Sequence, residues 1–200
     1  MDASALRFVL ASASPRRQDL LMRIGLRPEV RPTAVDETPR PGEGPSAYVL
    51  RLAEEKARAA ARPGELVLAA DTTVAIDGEL LGKPASDSEA AAMLRRLSGR
   101  EHAVATGVAL LRTDEDRLAS EASETTVRMR RLAEAWIAWY VASGEPRDKA
   151  GAYAVQGLGS LLVASIDGDY ETVVGLPLTL LPGLFERIGL DLLTRLSGRP

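Results

Sequence analysis

The sequence predicts a mixed α/β fold, and three observations carry that prediction. Short apolar runs bounded by turn residues alternate with segments whose apolar residues recur at helical spacing, as in strands joined by crossover helices. Two longer stretches, 102–111 and 117–130, flank the polar cluster Thr113-Asp114-Glu115-Asp116, which predicts an antiparallel hairpin. With 200 residues, 46% apolar and 26% charged, the chain has the size of one large domain over residues 1–200, or of two lobes sharing a core.

The first buried strand is expected over residues 6–11. Ser12-Ala13-Ser14-Pro15 then opens a helix whose Leu20, Leu21 and Ile24 share a face, and Gly25 stops it. A second strand at 28–33 leads into a Pro/Gly-rich loop, Asp36 to Pro45, expected to be exposed and mobile. A strong helix follows at 46–61. The run Leu66-Val67-Leu68-Ala69-Ala70 reads as an interior strand ended by Asp71, and Asp77-Gly78 as a tight turn between short strands. Residues 87–97 form a helix stopped by Ser98-Gly99, and the hairpin comes next. Helices at 133–142 and 177–188 are separated by a Gly-rich stretch and a strand near Leu161–Ile166, and the apolar helix at 177–188 offers a face for a homodimer.

Composition excludes several classes. A net charge of −3 gives no global field for gripping a nucleic-acid backbone, and aromatics are too few, at 4%, for stacking platforms. Without cysteine there are no disulfides and no thiolate metal sites; the single histidine, His102, cannot build a multi-histidine centre and reads as structural. The N-terminus lacks a signal-peptide pattern and no apolar run reaches membrane-spanning length, so a soluble, cytoplasmic protein with neither nucleic-acid nor membrane partners is expected. Walker, dinucleotide, nucleophile-elbow and His-Glu-x-x-His motifs are absent. Carboxylates, arginines and lysines remain, an inventory suited to metal-assisted phosphate chemistry.

Several of those residues stand out of place. Arg16 and Arg17 lie in the first turn after Ser14, where cations face the positive end of the helix dipole at a cost of ~0.3–1 kcal/mol each. An anion there, met by free N–H groups, the Ser12 and Ser14 hydroxyls and two guanidiniums, would reverse that cost; pairing with Asp19 or Glu29 is the plainer alternative. Only three of the 25 basic residues are lysines: Lys56, Lys83 and Lys149. Within its helix Arg51 can pair with Glu55 and Glu54 with Arg58, whereas Lys56 shares the apolar stripe with Tyr48 and Leu52 and needs an opposite charge or a path to water. Asp71, at the expected end of a buried strand, is placed where open α/β sheets present groups to ligands. Asp36-Glu37 supply adjacent carboxylates suited to Mg²⁺ or Mn²⁺.

Leu10-Ala-Ser-Ala-Ser-Pro-Arg-Arg-Gln-Asp-Leu-Leu21 with Val35-Asp-Glu-Thr38 resembles the Maf family of nucleoside triphosphate pyrophosphatases, also called septum formation inhibitors. The blocks Tyr48–Ala57, Ala70-Asp-Thr-Thr73, Gly82-Lys-Pro84, Leu97–Val104, Ser143–Tyr153 and Val174-Gly-Leu-Pro177 agree in order, over about residues 8 to 180. The resemblance implies a single elongated two-lobed α/β domain, with a mixed sheet, flanking helices and a cleft between the lobes, akin to the inosine triphosphatase fold. It implies metal-dependent hydrolysis between the α and β phosphates of a nucleoside triphosphate.

Carried over by position, Asp71 is the proton acceptor and, with Glu37, a ligand of the Mg²⁺ or Mn²⁺ cofactor, and Ser12, Arg16, Arg17, Lys56 and Lys83 match phosphate-binding positions. Arg16, Thr72 and Gln156 match the branch acting on dTTP and UTP rather than the one acting on 7-methyl-GTP. The Gln156 amide, with one donor and one acceptor, complements the imide edge of uracil and thymine. The chain departs from the family pattern at Thr73 and at Ala154-Val155, the latter bearing on the base pocket. A nucleotide-binding regulator of cell division without turnover is the alternative of a different class.

Overall fold

The computed structural model describes residues 6–197. Seven strands form one mixed sheet: β1 (Arg7–Leu10), β2 (Glu29–Val30), β3 (Glu65–Ile76), β4 (Glu79–Leu81), β5 (Glu101–Arg112), β6 (Arg117–Met129) and β7 (Val163–Asp167), ordered β2-β1-β3-β5-β6-β7 with β4 paired to β3. β1 runs parallel to β2 and β3, while β4 and β7 pair antiparallel with β3 and β6. The helices are α1 (Pro15–Arg23), α2 (Pro45–Ala60), α3 (Asp87–Leu97), α4 (Glu134–Ala142), α5 (Tyr170–Val174), α6 (Leu181–Arg187) and α7 (Leu192–Ser197). Among the described residues no helix is long and apolar enough to cross a membrane.

The chain packs as two compact units. One comprises the described residues up to Asp71, Thr106–Ser123, and those from Gly175 onward; the other comprises Thr72–Ala105 and Glu124–Val174. Each has its own core. In the first, Ala53, Ala57 and Ala60 of α2 pack on Val9, Ala11, Val67, Ala69 and Ala109 of the sheet. Small side chains on both sides let helix and sheet approach closely, and Gly107 makes the approach tightest: a Cβ there would lie 2.4 Å from the Val49 carbonyl oxygen. In the second, Leu94 and Leu97 of α3 and Ile137 and Tyr140 of α4 close over Val74, Ile76, Val104 and Val127.

Several expected boundaries shift for identifiable reasons. β3 does not end at Asp71 but continues to Ile76, buried almost throughout; Thr72, Thr73 and Val74 favour extended backbone, and the Asp71 charge is met by a partner. The strand expected at 28–33 shrinks to two paired residues between Pro28 and Pro32, which have no N–H to give. The helix expected at 177–188 divides into a 3₁₀ turn, Leu178–Leu180, and α6, because Pro182 cannot donate back to the preceding turn. Leu184, Phe185 and Ile188 are fully buried, so the apolar face expected to serve a homodimer is internal. Asp77 and Gly78 both take positive φ, 55° and 78°, the type I′ geometry that joins β3 to β4.

Candidate active site

Strand periodicity sets the first half of the site. Val67 and Ala69 face α2, so Asp71, two residues further, faces it as well. From α2, Lys56 reaches it: Nζ donates to Asp71 Oδ1 at 2.6 Å and to Glu37 Oε1 at 2.6 Å. The Lys56 and Asp71 side chains are only 11% and 12% exposed, whereas Glu37 is half exposed. The ammonium on the apolar stripe therefore does not snorkel to solvent; it clasps two carboxylates.

Glu37 lies in the loop expected to be mobile, and the loop is exposed but fastened. The Thr38 N–H donates to Asp36 Oδ1 at 2.9 Å, the Tyr48 hydroxyl donates to the Glu37 carbonyl at 2.8 Å, and Arg51 donates to the Thr38 carbonyl at 3.2 Å. Asp36 serves the turn: hydrogen bonds from Thr38 hold its carboxyl below the usual range. Burial, reinforced by Asp71 and Glu37, pushes the Tyr48 phenol up to about 12, keeping it a donor. Tyr48 is thereby a loop-positioning residue that the sequence marked only as part of the stripe. Arg51 is held mainly by Glu43, at 2.6 and 2.7 Å, with Glu55 at 3.4 Å; Glu54 accepts from the Ser120 hydroxyl and Arg58 pairs with Asp116 instead of with one another.

The other half of the site is the head of α1. Ser14 is its N-cap but makes no side-chain capping bond, and the first turn carries no acid. Ser12 is buried, its hydroxyl accepting from the Ser14 N–H at 3.2 Å and from Arg17 Nη1 at 3.0 Å. Arg17 Nε donates to the Gly175 carbonyl at 2.7 Å, a contact 158 residues away that no sequence signal announced. The plainer reading of these arginines fails for Glu29, which pairs with Arg7 and Arg31. Desolvation lowers the Arg17 pKa, with Arg16 acting in the same direction, while Asp71 and Glu37 oppose it, so cations and carboxylates share one electrostatic neighbourhood.

The first unit thus gathers Ser12, Arg17, Lys56, Glu37 and Asp71, with Arg16 beside Arg17. The remaining sequence-predicted residues belong to the second unit. Thr72 is partly buried, Lys83 is exposed in the β4–α3 loop, and Gln156 is the N-cap of a 3₁₀ turn, Gly157–Leu162, without a side-chain capping bond. Lys149 pairs with Asp148 and donates to the Glu145 carbonyl at 3.4 Å. His102 Nε2 meets the Tyr153 hydroxyl at 2.7 Å, and burial depresses its pKa to about 4. It is a packed structural residue, as expected.

Among the described residues no cluster of three or more His, Asp or Glu side chains forms a protein-only metal cage. A divalent ion bound jointly with phosphates does not need one, since Mg²⁺ takes one or two carboxylates and fills its shell with phosphate oxygens and water. Glu37 and Asp71, drawn to a single nitrogen, fit that requirement.

A family model described as "Maf-like protein" matches residues 7–188. A protein of Myxococcus xanthus named dTTP/UTP pyrophosphatase is 53% identical over 98% of this chain and 100% of its own length. Proteins of the same name from Symbiobacterium thermophilum and Exiguobacterium sibiricum are 50% and 48% identical, over 96% and 92% of this chain and 99% and 93% of theirs.

Proposed function

The chain belongs to the Maf family, and from that premise we propose that it is a nucleoside triphosphate pyrophosphatase acting on dTTP and UTP, releasing the monophosphate and pyrophosphate. The observation that carries the reading is the Lys56 ammonium at 2.6 Å from both Asp71 and Glu37, in one unit with the Ser12–Arg17 pair at the head of α1. A triphosphate brings ~4 negative charges, and one opposite unit charge at ~4 Å contributes about 4 kcal/mol at an effective dielectric near 20. Arg16, Arg17, Lys56 and Lys83 are the cations proposed to meet it.

In the reaction, a water oxygen bonds to phosphorus as the α–β anhydride P–O bond breaks, pyrophosphate leaves, and Asp71 accepts the water proton. Glu37 and Asp71 would hold Mg²⁺ or Mn²⁺, which when bound lowers the pKa of water and offsets phosphate charge. Lys56 holds both carboxylates side by side before substrate arrives. The Gln156 amide reads the pyrimidine imide edge. We place the activity in the cytoplasm, where nucleoside triphosphates are held, with no nucleic-acid or membrane partner.

The test is pyrophosphate release from dTTP, UTP, CTP and 7-methyl-GTP with Mg²⁺ or Mn²⁺. dTTP and UTP are expected to turn over fastest, EDTA to abolish turnover and added metal to restore it. No turnover by folded protein, or preference for 7-methyl-GTP, contradicts the proposal.

A further inference from the structure

The block Ser143–Tyr153 contributes no group to the chemistry above, yet one of its residues organises the segment that carries Gln156. Gln156 is the N-cap of the 3₁₀ turn Gly157–Leu162, a place where a short Ser, Thr, Asp or Asn side chain bonds the backbone N–H groups that follow and where glutamine is not an ordinary cap. It makes no such bond. The N–H groups of Leu158 and Gly159 instead donate to Glu145, at 3.1 Å to Oε2 and 2.9 Å to Oε1. Oε1 also accepts from the Tyr140 hydroxyl at 2.9 Å, and that hydroxyl accepts in turn from the Ala154 N–H at 3.1 Å. Glu145 and Tyr140 thus fix the backbone at 154, 158 and 159, on both sides of Gln156.

We infer that Glu145, seconded by Tyr140, is a specificity-positioning residue: it caps the turn in place of Gln156 and so reserves the Gln156 amide for the pyrimidine base. This rests on the pyrimidine-triphosphate reading above. Three further features support it. A carboxylate can accept all three donors at once, and charge-assisted bonds of this kind are stiff. Glu145 is itself placed by Gly144, at φ 76°, and by a Ser143 hydroxyl that accepts its N–H at 3.2 Å. The segment tolerates no bulk: a Cβ on Gly159 would meet the Ala154 carbonyl oxygen at 2.2 Å and the Tyr140 hydroxyl at 2.7 Å, and one on Gly157 would meet Glu145 Oε2 at 2.8 Å.

The experiment measures kcat and KM for UTP and CTP in the full-length wild type, Glu145→Gln, Tyr140→Phe, Gln156→Ala and the Glu145→Gln/Gln156→Ala double variant, with melting temperatures as a check of folding. Displacing a hydrogen-bonding specificity group by a fraction of an ångström costs discrimination first. Glu145→Gln keeps the side chain's shape but replaces one accepting oxygen with a donor. It is expected to raise KM for UTP about tenfold with kcat within about twofold, and to leave CTP nearly unchanged. Tyr140→Phe moves the UTP-over-CTP ratio in the same direction, and the double variant discriminates no worse than Gln156→Ala alone, because the two residues act through one contact. If Gln156→Ala collapses the ratio while folded Glu145→Gln and Tyr140→Phe preserve it, or if the effects of positions 145 and 156 simply add, the positioning role is overturned and the base reading stands. A wild type indifferent between UTP and CTP overturns the base reading, and this inference with it.

Discussion

The two units hold their functional groups in opposite ways. In the first, charged side chains hold the site: one lysine between two carboxylates, and an arginine whose guanidinium donates to a serine hydroxyl and a backbone carbonyl. In the second, a neutral amide is left out of its own local hydrogen bonding while a carboxylate and a phenol tie the backbone around it. On the proposed function, the difference follows the chemistry each set of groups would serve. A polyanion is gripped by groups that can exchange an internal counter-ion for an external one, so side chains poised as ion pairs suit it. A neutral base edge offers only directional hydrogen bonds, so its reader gains from a backbone that does not move.

The contrast can be broken most severely at Lys56. Lys56→Ala leaves two carboxylates without their ammonium and removes a cation proposed to meet phosphate; kcat/KM for UTP should fall about 10²–10³-fold, with stability to denaturant lower by about 3 kcal/mol. Next comes Gly159→Ala in the second unit, where the added methyl meets backbone and cannot be accommodated by a rotamer change. A loss of about 3 kcal/mol in chemical denaturation is expected, together with weaker UTP-over-CTP discrimination.

A pH titration sharpens the same comparison. Burial lowers the His102 pKa from 6.5 to about 4, so the unfolded chain binds more protons than the folded one between those values. The stabilisation is complete above about pH 6.5 and is lost as pH falls toward 4, by about 3 kcal/mol at pH 4. Urea melts of wild type and His102→Gln across pH 4–7 should show that excess slope in the wild type alone. Smallest of all is the exposed Arg95–Glu134 pair at 2.7 Å, whose removal by Glu134→Gln should leave melting temperature and activity unchanged.

What the sequence disclosed and what it concealed divides by range. α3 was legible to the residue, with Ser98-Gly99 marking its end; the structure adds the cap at its start, where Ser86 accepts the Glu89 N–H at 3.2 Å. Lys56 was legible as an anomaly because helical spacing set it among apolar neighbours, although its partners lie 15 and 19 residues away. Asp71 was legible as an acid out of place in an apolar run but not as a mid-strand residue, since such an acid resembles a strand end until its counter-ion is known. The Gly175 contact of Arg17 and the capping role of Glu145 were illegible for one reason: both act on backbone atoms, which leave no pattern in residue type. α5 and α7, five and six residues long, are too short to develop a helical period.

The claim beneath all of this is that the Lys56-bound Asp71 carboxylate takes the proton of the attacking water. The direct test is Asp71→Asn, which keeps an oxygen able to accept from Lys56 but removes the base, assayed both for UTP hydrolysis and for UTP binding by calorimetry. Hydrolysis should fall by at least about 10²-fold while binding stays within a few-fold of wild type. A folded Asp71→Asn protein that hydrolyses UTP at the wild-type rate would contradict the account.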